Sequence, residues 1–483
     1  MPVSPELPAP RASQTLPTPQ APEGHARRWL ILGVICLAQL TVLLDNTVLN
    51  VAIPSLTRLL HAGTADIQWM INAYSLVQSG LLLTAGSAAD RFGRKKMLLA
   101  GLAVFGTGSL VAGLADSTGQ LIAARAGMGV GGALLITTTL AVVMQIFTPE
   151  EQPKAIGIWA AVNSLGFAVG PLIGGFVLDH FWWGAIFLIN IPVAVLGLIA
   201  VAALVPESKA APAEARGGRP DLLGALLSTI GMAALVFAVI SGPHHGWTSP
   251  RVLGTAAVAV LVLALFAYWE SRVPEPMLDP HFFRDRRFTG AVAGVVLITF
   301  GMGGALFLLT QHLQFVLGYG PLEAGVRTAP LALTVVALNF SGLSAKWAGK
   351  LGTPVAIALG MVLMAAGLVS IAELASAGYG GTLLGLVLIG AGCAVANPAM
   401  AHAIMSAIPP DKAGVGAGIN GTLAEFGNGL GVAVLGAVLS SAVASGRSLS
   451  AGLGQGQLVG AVAVLAGGFV AAGLLRRAER TAA

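Results

Sequence analysis

The sequence predicts an all-α polytopic membrane protein. It would have fourteen transmembrane helices, as two six-helix bundles plus two central linker helices. Three observations lead there. The 483-residue chain is 55% hydrophobic and only 10% charged, whereas soluble domains carry about 25% charged residues. Fourteen apolar stretches along it approach the ~20-residue length of a bilayer span. The cations then alternate between connections. Of 26 Lys and Arg, all but five fall on one side of this layout. Arg58, Arg251, Arg327 and Arg447 fall on the other, and Arg125 lies inside a span. Such a bias marks the cytoplasmic side, so both termini are expected inside.

The elements follow in order. Residues 1–28 are rich in Pro, Ala, Ser and Gln without hydrophobic period, and read as a disordered cytoplasmic tail. Arg27 and Arg28 before an apolar run resemble an export signal. The run is too long for a signal peptide and holds Asp45, so it reads as an uncleaved first span at 29–53. Spans at 68–88, 97–115, 120–146, 155–178 and 184–205 complete an N-terminal bundle, 29–205. The linker, 206–287, holds spans at 221–241 and 252–270. The C-terminal bundle, 288–475, holds spans at 288–315, 324–345, 353–373, 381–407, 413–440 and 457–475. A short basic tail, 476–483, closes the chain.

Two segments echo each other. GSAADRFGRKK (86–96) and GLSAKWAGK (342–350) place Gly86, Asp90, Gly93 and Arg94 at the offsets of Gly342, Lys346, Gly349 and Lys350. Aligning them pairs helices 1–6 with 9–14 and leaves 7 and 8 as an insertion. Duplicated halves around a central pathway are a recurrent transporter plan. Gly86 and Gly93 are expected to permit a tight turn, and Asp90 to accept hydrogen bonds from the start of the next helix or to pair with a nearby cation. Gly166, Gly170 and Gly174 recur every fourth residue, so they form one smooth helix stripe. Pro171 beside them removes a helix hydrogen bond.

Several function classes are disfavoured. The net charge of +5 fits inner loops meeting anionic lipid rather than nucleic acid. Cys36 and Cys393 lie in apolar runs and suggest neither a disulfide framework nor a metal site. The paired His244 and His245 lack further ligand candidates nearby. No phosphate-cradling G-x-x-x-x-G-K-[ST] loop is present. No nucleophile clusters with a base, so a transporter is expected rather than an enzyme.

Two acids sit where acid is costly. Asp45 and Glu425 each interrupt a spanning run, at roughly 2.5–3.5 kcal/mol on the lenient insertion scale. Acids retained there usually line a polar path for protons, cations or substrate. Asp45 lies about 25 Å along helix 1 from Arg28. Arg125 enters helix 4 from the opposite side and reaches nearly the same depth, so the two can pair. A static ion pair is the competing reading. Glu425 lies about 20 Å into helix 13 from Lys412, with no cation on its own helix within two turns. A protonated acid bonded to neighbouring backbone is its competing reading.

At the 86–96 segment the chain resembles the major facilitator superfamily. LDNTVLNVAIPSL (44–56), RAGMGVGGA (125–133), GFAVGPLIGG (166–175), QFVLGYGPLEAG (314–325) and AGVGAGINGTLAEFGNGLGVAVLG (413–436) are similar to its fourteen-span drug:proton antiporters, in the right order. The resemblance covers roughly 29–475. It implies proton coupling at Asp45, Arg125 and Glu425. It implies a conformational role for Gly86, Asp90, Arg91, Gly93 and Arg94, and an export role for Gly166, Gly170, Pro171, Gly174 and Gly175. A glutamate at 425 resembles the subgroup exporting quaternary ammonium and other lipophilic cations. Met128, Thr137 and Gly184 depart from the family's usual Gln, Pro and Arg.

Asn50, Tyr74, Asn163, Gln311, Gln314, Asn339, Asn397 and Phe426 are polar or aromatic span residues and candidate substrate contacts. Each is individually also explained by packing or an interhelical hydrogen bond. The expectation is a monomeric, multi-pass exporter of the bacterial inner membrane. It would be driven by the proton gradient without a cofactor or metal, and would carry lipophilic, cationic drugs. Exporting an endogenous antibiotic or metabolite, or proton-linked import, are the alternatives.

Overall fold

The computed structural model describes residues 27–148, 150–207, 221–274, 276, 278, 280–374, 378–406 and 413–482. Its sixteen α-helices are α1 (Arg28–Leu59), α2 (Thr64–Phe92), α3 (Arg94–Gly113), α4 (Thr118–Ile146), α5 (Gln152–His180), α6 (Ala185–Leu188), α7 (Asn190–Leu204), α8 (Leu222–His245), α9 (Pro250–Glu270), α10 (Arg286–Gln311), α11 (Pro321–Phe340), α12 (Leu343–Leu351), α13 (Thr353–Leu374), α14 (Tyr379–Ser406), α15 (Ala413–Ala444) and α16 (Leu449–Ala482). Among the described residues, twelve helical segments are long and apolar enough to cross a membrane, with α6 and α7 counted as one.

The helices α2 and α5 have 29 residues each but fall outside those twelve. In α2 the cause is a row of polar residues. Gln68, Asn72, Ser75, Gln78 and Ser79 are all buried. They lower its hydropathy while facing other helices rather than lipid.

Four elements differ from expectation. The span expected at 184–205 breaks at Ile189. Pro192, in the first turn of α7, cannot donate a backbone hydrogen bond across the break. The helix expected to end at 315 instead ends at Gln311 and continues as a π-turn, His312–Val316. The 86–96 segment is not a loop. The helix α2 runs through Gly86 to Phe92, and α3 resumes at Arg94. Gly93 alone makes the turn, at φ 110°, a backbone that a Cβ would strain. The expected turn at Gly86 is therefore corrected, because its helix is continuous there. The echo at 342–350 is not built alike. Its left-handed glycines are Gly342 and Gly352, and α12 occupies the stretch between.

Packing makes two main apolar cores. One is built largely from α1–α7, with side chains reaching it from α10, α15 and α16. The other is built from α10, α11 and α13–α16. Between the chain's two halves, α5 packs on α11, and α2 packs on α15. The helix α8 lies against both α2 and α15, through a small core of Leu76, Met232, Val236, Ile240 and Ala433. Its partner α9 packs on α8 and is otherwise open, with few buried residues.

The glycine stripe of α5 faces α1. A Cβ at Gly166 would stand 2.7 Å from Leu43 Cβ, and one at Gly174 would stand 2.8 Å from Val48 Cγ1. Gly170 meets Thr47 in the same way. The opposite face of α5 meets α11: Gly175 abuts Leu322, and Gly325 abuts the Pro171 carbonyl. Close approach on both sides leaves no room for larger side chains.

Candidate functional site

The site starts from α1 and α4. Asp45 and Arg125 are 3% and 1% exposed, and they form a direct ion pair. The Arg125 Nε donates to the Met70 carbonyl at 3.1 Å. Its guanidinium lies 4.5 Å over the Tyr74 ring, a favourable cation–π geometry. The Tyr74 hydroxyl accepts from Gln78 Nε2 at 3.0 Å. Asn190, at the α6–α7 break, reaches Asp45 Oδ1 at 3.5 Å and Ser109 Oγ at 3.3 Å. Five helices thus hold one buried charge pair.

The RAGMGVGGA sequence explains how α4 accepts this. A Cβ at Gly129 would stand 2.6 Å from the Tyr74 carbonyl. One at Gly131 would stand 2.6 Å from the Phe105 backbone nitrogen. These glycines let α2 and α3 close on α4 and seat Tyr74 beneath Arg125. Met128 fills the gap against Gly108 on α3.

Glu425 occupies the other face of α2. It is half-buried, with Ser75 in hydrogen-bonding reach and Arg125 within electrostatic range. Its Oε2 is buried, with no hydrogen-bond partner among the described residues. Lys412 lies outside the described residues. Tyr74 lies within electrostatic range of both carboxylates, so α2 separates the two acids and bridges them.

The remaining candidates do not gather in one cavity. Tyr74 is fully buried under Arg125, and Phe426 packs toward the α8 core. Asn50 lines a water-sized space of about 20 Å³ with Thr47, Pro171 and Met302. Gln314 donates to the Val51 carbonyl at 3.0 Å, tying the π-turn to α1. Gln311 donates within its own helix. Asn339 is exposed at the end of α11 and accepts from Ser344 at 2.9 Å. Asn397 is exposed on α14, next to Pro398. The side chains of Asn163 and Asp90 lie outside the described residues. A cavity of about 470 Å³ lies between α8, α15 and α16, lined by Trp247, Val438 and Arg447. It begins at Val434, two and a half turns of α15 beyond Glu425.

In the 86–96 segment, cations bond the backbone of neighbouring helices. Arg94 Nη1 donates to the Ala141 carbonyl at 3.2 Å, and Lys95 Nζ to the Ala202 carbonyl at 2.7 Å. Ala202 lies in the last turn of α7, where positive charge is favoured, and Ala141 lies further back on α4. Arg91 is exposed, over the Phe92 ring.

Sequence reasoning missed Asn190, Gln68, Asn72 and Ser75. For the three on α2 the signal was the spacing 68, 72, 75, 79, which puts polar side chains on one face of the helix; Asn190 carried no such signal.

Buried ionisable groups between apolar helices, with glycine-lined seams, define a multi-pass transporter embedded in the membrane. Residues 35–432 match the profile of the Major Facilitator Superfamily, and the chain belongs to that family. It is 36% identical over 402 residues to the multidrug resistance protein Stp of Mycobacterium tuberculosis, covering 83% of this chain and 74% of the relative. It is 35% identical over 434 residues to the methyl viologen resistance protein SmvA of Salmonella typhimurium, covering 88% and 86%. The fold resembles the crystal structure of a peptide transporter POT in complex with sulfate, with a TM-score of 0.66 at 14% identity, covering 90% and 94%.

Proposed function

We propose that this protein is a proton-coupled exporter of lipophilic, cationic drugs in the bacterial inner membrane. In this reading α2 and α5 also span, which brings the count to fourteen with both termini cytoplasmic. Bundles 29–205 and 288–475 rock about a central path, and the segment 206–287 contributes the inserted pair. Protons enter down their gradient and compete with substrate for the acids at Asp45 and Glu425. Arg125 holds Asp45 between turnovers. Names such as multidrug and methyl viologen resistance among the relatives support drug export.

The observation that carries the reading is the Asp45–Arg125 pair, buried at a depth where charge is costly. A carboxylate held there by one cation can exchange that partner for a proton. The test uses everted vesicles with a pH-sensitive dye. Adding a cationic drug should release protons from vesicles bearing the wild type. Asp45→Asn should insert normally and give no drug-driven proton movement. A full substrate gradient built by that variant would remove Asp45 from coupling.

A further inference from the structure

The seam between α2 and α15 is unusual for its buried and unused hydrogen-bonding atoms. Asn72 is 0% exposed, and neither its Oδ1 nor its Nδ2 has a hydrogen-bond partner among the described residues. Its amide is pressed against α15, where a Cβ at Gly429 would stand 2.6 Å from Asn72 Oδ1 and 3.7 Å from Ser75 Cβ. One turn earlier on α15 sits Glu425, within reach of Ser75 and with Oε2 unpartnered. Thr422 Oγ1, three residues earlier still, is also buried without a partner. On α2, Gln68 spends its amide nitrogen on the Val432 and Ala433 carbonyls, at 3.1 and 2.9 Å, and leaves its Oε1 unpartnered.

Each such atom, buried and left unpaired, costs roughly 1–3 kcal/mol. The inventory is lopsided. Carboxylate, amide and hydroxyl oxygens predominate. The nearby guanidinium of Arg125 already serves Asp45 and the Met70 carbonyl. Beside the unpartnered Asn72 Nδ2 and the Thr422 hydroxyl, the acceptors Asn72 Oδ1, Gln68 Oε1 and Glu425 Oε2 are left open, and a cationic donor would suit Asn72 Oδ1 and Glu425 together.

We propose that Asn72, Ser75 and Glu425 form a subsite at the α2–α15 seam that takes an ammonium group bearing N–H. This subsite would prefer such a group to a quaternary ammonium of the same size. Glu425 supplies the charge, and the Asn72 carbonyl accepts the N–H. A quaternary nitrogen satisfies the charge but leaves Asn72 unpaired, and a site built to bond a donor rejects the analogue lacking it. Asn72 is thus a specificity residue. The inference rests on the reading of Glu425 as a substrate-facing acid.

The test uses two matched fluorescent monocations, one with a dimethylaminopropyl arm and the other with its trimethylammonium counterpart. Full-length protein in lipid nanodiscs should bind the protonated amine about tenfold more tightly, the scale of one charge-assisted hydrogen bond. In Asn72→Ala the two affinities should converge to within about twofold, chiefly by loss of amine binding. In Glu425→Gln both should weaken. Retained binding of the trimethylammonium dye by Asn72→Ala shows that the variant is folded. Equal affinity for both dyes in the wild type would overturn the proposal, as would a parallel loss of both in Asn72→Ala. Either result would mark the seam as a packed or merely hydrated contact. Export by wild-type vesicles is measured separately with both dyes. Absent transport beside intact discrimination would sink the export reading and leave the subsite standing.

Discussion

At the scale of single residues, the Asp45–Arg125 pair raises the question of structure against coupling. Removing one partner from a buried pair strands the other charge and costs about 3–5 kcal/mol. Arg125 also carries the Met70 carbonyl and the Tyr74 ring, so Arg125→Ala should lower the melting temperature in detergent and abolish export. Neutralising both together, Asp45→Asn with Arg125→Gln, removes the stranded charge. Thermal stability should then recover substantially while drug-driven proton movement stays absent. Recovery of both would make the pair dispensable to coupling. Recovery of neither would make it a purely structural tie. This pair was legible in the sequence because charges in apolar runs are rare and a helix rises 1.5 Å per residue. Depth could be counted from each end. Asn190 was not legible. It is neutral, and it reaches Asp45 only because α6 and α7 break beside it.

At the scale of elements, α5 has glycine on two faces and a neighbour on each. Spacing alone indicated a smooth stripe, but not what it touches. The structure assigns the Gly166–Gly170–Gly174 face to α1, and Gly175 to α11. Gly170→Leu would drive a branched side chain into Thr47, one residue from Asn46 and two from Asp45. Overpacking of a close seam costs about 1–3 kcal/mol, which a large membrane protein can survive. We therefore expect near-normal insertion with export reduced at least tenfold in a drug-resistance assay. Normal resistance would show that α5 and α1 need not stay this close. The 86–96 segment teaches the converse lesson. Its glycine spacing was legible, but not which glycine leaves the helix. Only Gly93 does so, and Arg94 and Lys95 then reach the Ala141 carbonyl of α4 and the last turn of α7.

At the scale of the whole molecule, two large seams join the halves, α5 with α11 and α2 with α15, beside smaller contacts of α1 with α10 and α11. The second could not be read from sequence. Gln68 and its acceptor Val432 are 364 residues apart, and each polar residue of α2 is ordinary by itself. Only their common face, set against Gly429 and Gly436 on α15, makes a seam. Side chains bonded to bare backbone across glycines suit a contact that forms and parts. Apolar contacts such as Leu76 with Ala433 accompany them, and water can replace each hydrogen bond on opening. If transport proceeds by alternating access, this seam must part in each cycle. The check is a reversible tether. Gln68→Cys with Ala433→Cys, in a background of Cys36→Ser and Cys393→Ser, sets two thiols across it. A short bifunctional thiol reagent should cross-link them in vesicles and reduce drug export at least tenfold, and a reductant should restore it. Either single-cysteine protein, treated identically, should keep its export. Full export by the cross-linked protein would mean that α2 and α15 travel together, and that the halves part elsewhere.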